Sequence, residues 1–166
     1  MGSGSEQEAS RNSKRLDMVI LLIITLVFLI ISDFKSHYVY IWQIILFGIT
    51  QFIYCFLTLE KGVLVQNILV NNMFLLVLFL SVGIYVFFRF REKKDLIGWG
   101  DILFIVCLVP YFSFNRFLYF MIISLVFSLG YWAISYLFGQ RSREIPLIST
   151  LGICYSILLI YDNVIA

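Results

Sequence analysis

Apolar residues in this chain come in long runs separated by short polar stretches, and the runs have the length of helices rather than of strands. The pattern predicts six spans, roughly Leu16 to Ser32, Val39 to Leu59, Val63 to Phe90, Asp101 to Phe114, Arg116 to Phe138 and Pro146 to Tyr161. A helix needs about 20 apolar residues to cross the hydrocarbon core at about 1.5 Å per residue. The third span is long enough to tilt or bend, with Asn71–Asn72 as its expected weak point. The fourth is too short to cross comfortably: its 14 residues reach about 21 Å, and Pro110 is expected to interrupt it. A short, broken helix at membrane depth is tolerated where protein or a water-filled cavity covers its free backbone groups, which makes this segment the first pointer to a site.

Composition turns these runs into a class. The 166 residues are 61% hydrophobic and 13% charged, against about 45–50% and about 25% in ordinary soluble domains. The mean hydropathy is +0.97. A soluble fold of this length has no place for so much apolar surface, and disorder is excluded by the same balance. The expected fold is therefore all-α: a polytopic, six-transmembrane-helix bundle with a short broken fourth helix, in a lipid bilayer. Residues 1–15 read as a flexible tail, whose first ten, polar and Gly/Ser-rich, resemble an expression-derived leader; residues 16–166 read as a single membrane domain. Twelve Lys and Arg face ten Asp and Glu, a balance that gives no reason to expect a nucleic-acid partner. Cys55, Cys107 and Cys154 each fall inside an apolar run, without CxxC spacing and far in sequence from His37, so neither a metal nor another cofactor is expected.

Loop charge gives an orientation. Loops one, three and five carry Lys35, then Arg89, Arg91, Lys93 and Lys94, then Arg141 and Arg143. The opposite face carries Arg11, Lys14, Arg15, Lys61 and Arg116. The positive-inside rule places the first set in the cytoplasm.

Two aspartates stand out. Asp33 follows the first span and Asp101 opens the fourth. Two complete crossings lie between them, so both belong to one face at similar depth. Two carboxylates brought together cannot both ionise cheaply, so the pair holds one proton and titrates as a unit. The ionised member takes a proton from water, and the protonated member polarises a scissile carbonyl. Taken singly, each has a plainer reading: Asp33 as an interfacial or turn residue, Asp101 as a helix cap. Gly98 and Gly100, flanking Trp99 directly before Asp101, favour the catalytic reading, because glycines permit close backbone approach and unusual dihedrals. Of the two, Gly100 is expected to let the backbone pass close to substrate and to position Asp101.

Gly98-Trp99-Gly100-Asp101, with Asp33 just past a helix and Lys35 after it, resembles the GxGD intramembrane aspartyl proteases, and most closely the type IV prepilin peptidase and preflagellin peptidase family. The resemblance covers about residues 16–162. It implies an aspartic endopeptidase with Asp33 and Asp101 catalytic and Gly98 and Gly100 as motif support. It also implies prepilin-like protein substrates, with a short basic leader cut after a Gly at the cytoplasmic face of the prokaryotic inner membrane. The chain departs from the family pattern in three places. His37-Tyr38-Val39 stands where Ile-Pro-Asn is usual, Ile102-Leu103-Phe104 where a Lys follows the motif, and Ile145-Pro146-Leu147-Ile148 keeps only the first proline of a Pro-Phe-Gly-Pro-like stretch. The cysteine-bearing insert that accompanies N-methylation in the bacterial bifunctional enzymes is absent, so no methyltransferase activity is expected. Intramembrane carboxylates also serve proton and ion pathways, so a small coupled transporter is the first alternative. An inactive membrane subunit of the same fold is the second. His37 reads as interfacial or as a proton relay. Asn71 and Asn72 read as cavity-lining residues or as polar glue between helices. Glu92, Asp95 and Glu144 read as solvated loop charges or as attractors of a basic leader.

Overall fold

The structure, a computed structural model, describes residues 3–36, 39–89, 98–137 and 147–165. Among these residues there are six α-helices and no strand: α1 (Ser3–Ser36), α2 (Ile41–Thr58), α3 (Lys61–Arg89), α4 (Trp99–Leu108), α5 (Phe114–Leu137) and α6 (Leu147–Ile160). A π-helical turn, Tyr161–Ile165, follows α6. Stretches of α1, α2, α3 and α5 are long and apolar enough to cross a membrane, while α4 and α6 are shorter apolar helices. The chain is thus an all-α polytopic membrane protein. His37, Glu92, Asp95, Glu144 and the basic residues Arg91, Lys93, Lys94, Arg141 and Arg143 lie outside the described residues.

Residues 3–15 are helical and continuous with α1, where the sequence carries no apolar pattern. Seven of those thirteen residues are Glu, Gln, Ala, Lys or Arg, which extend an existing helix at little cost. Two expectations change. Helix α3 runs unbroken through Asn71–Asn72, so that pair is no weak point. Helix α4 ends before Pro110 instead of being interrupted by it: the Val109 N–H donates to the Val106 carbonyl at 3.2 Å, a tightened last turn. Pro110 has no N–H with which to continue. Ten residues take α4 about 15 Å, roughly half of the way across the hydrocarbon.

The carbonyls freed where α4 stops are satisfied by α3. The fully buried Asn71 donates through Nδ2 to the carbonyls of Val109 (3.2 Å) and Phe112 (2.7 Å), and Asn67 donates to that of Pro110 (3.5 Å). Side chains of a neighbouring helix thereby stand in for the water that hydrocarbon excludes. Asn71 is polar glue between elements, whereas Asn72 donates to the Ile68 carbonyl of its own helix (2.9 Å).

Helix α6 packs against α1, α4 and α5, and α2 packs against α1, α3 and α4. Their apolar faces follow helical spacing: Leu22, Leu26 and Leu29 on α1, Phe104 and Leu108 on α4, Leu151, Tyr155 and Leu159 on α6 are all fully buried. Phe47 of α2 stacks on Phe104 at 5.3 Å and Tyr155 meets Tyr111 edge-on at 5.3 Å, which fills the middle of the bundle. At the end away from Asp33, Tyr111 donates to Asp162 (2.8 Å), Tyr54 to Asn163 (2.9 Å), and Arg116 pairs with Asp162 (3.5 Å). These contacts fasten the last turn of the chain to α2 and to the start of α5.

Lipid tails are as apolar as leucine, so helix association rests on close packing, which small residues permit. A Cβ on Gly152 would stand 3.0 and 3.1 Å from Ile30 of α1, whereas one on Gly130 would meet nothing within 4 Å. Gly152→Ala should therefore cost about 1–3 kcal/mol through overpacking. Gly130→Ala should be neutral or slightly stabilising. Melting of the two variants in detergent measures the difference; equal melting temperatures would mean that α1 and α6 are not in close contact there.

Candidate active site

Asp33 lies in the last turn of α1 and is buried, 7% exposed. Its carboxylate reaches the first turn of α6, where Oδ2 accepts the Ser149 backbone N–H (2.9 Å) and the Ser149 hydroxyl (2.6 Å). Helix N-termini carry unsatisfied N–H groups and a positive dipole end, so a carboxylate from another helix is a suitable partner.

Asp101 lies in the first turn of α4. The N-cap is Gly98, so the reading of Asp101 as the capping residue is corrected. From the third helical position its side chain folds back over Gly98, while its backbone N–H donates to the Gly98 carbonyl at 3.0 Å. Asp101 is half-buried, and Asp33 is within direct electrostatic reach of it. The two aspartates, 68 positions apart in sequence, are thus brought together where α1 ends and α4 and α6 begin.

The motif glycines divide differently from expectation. Gly98 has φ −66° and ψ 135°, a backbone any residue adopts. What it provides is space: a Cβ there would stand 3.2 Å from Asp101 Oδ2. A Cβ on Gly100 would meet Ile44 at 3.6 Å and Ile148 at 3.7 Å, ordinary contact distances. The glycine that sets the room for the Asp101 carboxylate is therefore Gly98, and Gly100 sits between α2 and α6. Displacing a reacting group by about 1 Å costs roughly 100-fold in rate. A shift of a few tenths should therefore make Gly98→Ala about three- to tenfold slower in turnover, with Gly100→Ala closer to the parent and both melting normally. Equal turnover in the two variants would mean that Gly98 does not control the Asp101 carboxylate.

Ser149 was not singled out by its sequence pattern. Its one signal is a polar Ser149–Thr150 pair opening an otherwise apolar span. Two apolar grooves face outward from the bundle, one of about 440 Å³ between α1 and α2 and one of about 390 Å³ between α2 and α4. Neither is lined by Asp33 or Asp101. Cys55, Cys107 and Cys154 are separate free thiols. Among the described residues no group of three or more His, Cys, Asp and Glu side chains is placed to hold a metal ion.

No protein-family model matches the chain, and no curated protein or solved structure does either.

Proposed function

We propose that this chain is an intramembrane aspartyl endopeptidase whose acid–base unit is the pair Asp33 and Asp101. The observation that carries the reading is the placement of two carboxylates from different helices within electrostatic reach of each other, at one end of a membrane bundle. Two such groups share a proton more cheaply than they both ionise. One carboxylate then removes a proton from a water molecule as its oxygen attacks the scissile carbonyl carbon. The other carboxyl gives its proton to the carbonyl oxygen. Collapse of the resulting diol breaks the C–N bond and protonates the leaving nitrogen. Water is the only co-reactant this chemistry requires.

The resemblance of Gly98-Trp99-Gly100-Asp101 to the prepilin peptidase motif supplies the substrate class: a basic leader, a Gly, then a hydrophobic helix, cut after the Gly at the cytoplasmic face of a prokaryotic inner membrane. Co-expression with reporters of that design, followed by reading the product's N-terminus, tests this. The expected product begins at the residue after the Gly. Unprocessed reporters, with proton flux in liposomes instead, would transfer the aspartates to a carrier.

Orientation has its own test. With the native cysteines replaced, a cysteine at Lys61 should react with an impermeant thiol reagent in intact cells, and one at Lys94 should be shielded. Labelling at Lys94 would place the aspartates on the outer face.

A further inference from the structure

Building on the peptidase reading, we propose that Ser149 is a positioning residue that makes Asp33 the base of the pair. From α6 it ties down Oδ2 of Asp33 and leaves Oδ1 to take the proton of the attacking water, while Asp101 supplies the proton received by the scissile carbonyl oxygen.

The hydroxyl of Ser149 behaves unlike most others in the bundle. Thr25, Thr50, Thr58, Ser81 and Ser156 each donate to a carbonyl three or four residues back on their own helix. That is the usual way to bury a hydroxyl in an apolar helix. Ser149 reaches instead to α1, where Asp33 Oδ2 is 2.6 Å from its Oγ and the other acceptor in range, the Ile30 carbonyl, is 3.5 Å away. The Ser149 backbone N–H approaches the same carboxylate oxygen at 2.9 Å. A backbone N–H only donates, so Oδ2 is an acceptor and cannot be the oxygen that carries the shared proton along that line. Two donors on one oxygen hold Oδ2 in place and leave Oδ1 as the oxygen open to an incoming proton. The Asp101 carboxylate instead folds back over Gly98 at the start of its own helix.

Lys35, two residues after Asp33 in α1, is exposed, so solvent screens its charge. Among the described residues, the ionisable groups that share this end of the bundle include Asp101 of α4, Tyr40 at the head of α2, Tyr131 of α5, whose ring meets Phe34, and Lys35 of α1 itself. The proton balance closes within the pair. Water's oxygen bonds to the carbonyl carbon, and its proton goes to Asp33 Oδ1. The Asp101 proton goes to the carbonyl oxygen and gives a neutral diol. On collapse the Asp33 proton moves to the leaving nitrogen, and one diol proton returns to Asp101.

The test combines spectroscopy with kinetics on purified, full-length protein. In the Asp101→Asn protein, infrared difference spectra with and without Ser149→Ala should show the Asp33 carboxylate bands shifting, and Ser149→Thr should restore them. The same pair in Asp33→Asn protein serves as the blank. With both aspartates present, Ser149→Ala should lower kcat for a basic-leader, Gly, hydrophobic-helix reporter peptide about tenfold, with KM within about twofold, and Ser149→Thr should recover the rate. Unshifted bands would overturn the contact, and shifted bands with an unchanged kcat would overturn the positioning role. A parent protein that cuts no reporter, with the band shift present, would overturn the peptidase reading and this role with it while leaving the contact established, so the two failures are distinct.

Discussion

Asp33→Asn and Asp101→Asn should each abolish reporter cleavage while leaving a folded, extractable protein. Positioned acid–base groups typically contribute about 100- to 10,000-fold in rate, and here each residue's task depends on the other. The double variant should therefore be no slower than either single one, since residues acting as a unit are not additive. Folding should survive at position 33, because the asparagine carbonyl still accepts the donors that Ser149 presents to Asp33. Asp33→Ala should differ: it strands a buried N–H and leaves the Ser149 hydroxyl only the distant Ile30 carbonyl, at about 1–3 kcal/mol for an unsatisfied group. Cleavage assays and melting curves on the three variants separate the chemical role of the carboxylate from its role as a cap on α6. Substantial cleavage by either asparagine variant would remove that aspartate from the site.

The largest effect on stability is expected away from the aspartates, at Asn71. Asn71→Leu removes the one side chain that serves both the Val109 and Phe112 carbonyls. Polar contacts between membrane helices average only about 0.6 kcal/mol, because alternative partners are usually at hand. These carbonyls lie where a helix has stopped, so stranding them should approach about 1–3 kcal/mol each. Part of that is offset, since Asn71 Oδ1 is itself buried without a hydrogen-bond partner among the described residues. A net loss of about 2–4 kcal/mol lowers a melting temperature by several degrees. Asn72→Leu, which gives up a bond within its own helix, should stay near the parent. Equal melting of the two variants would mean that α3 does not hold the end of α4.

The six helices were legible because hydrophobic runs of helical length have few alternative readings in a chain this apolar. Their ends were less so. The polar residues before Leu16 gave no apolar periodicity, yet they extend α1 because helix propagation needs none. Asn71–Asn72 suggested weakness in α3, since an amide inside an apolar helix looks like a break until its partner, a turn 38 residues later, is in view. Asp33 and Asp101 were legible as sharing a face, which follows from counting crossings, and their approach fits that count. Ser149 was not, because a serine entering a helix ordinarily bonds within its own turn. The division between Gly98 and Gly100 also required coordinates: both precede Asp101, but only one has the carboxylate folded back over it.

Cleavage by the purified protein alone, reconstituted in liposomes and freed of host peptidases, tests the central claim most directly. The substrate is a synthetic peptide with a basic leader, a Gly and a hydrophobic helix, and product masses are read by mass spectrometry. The expected result is two fragments divided after the Gly, formed by the parent and by neither asparagine variant. An intact peptide with the folded parent, or the same fragments from the Asp33→Asn or Asp101→Asn protein, would contradict a peptidase built on this pair.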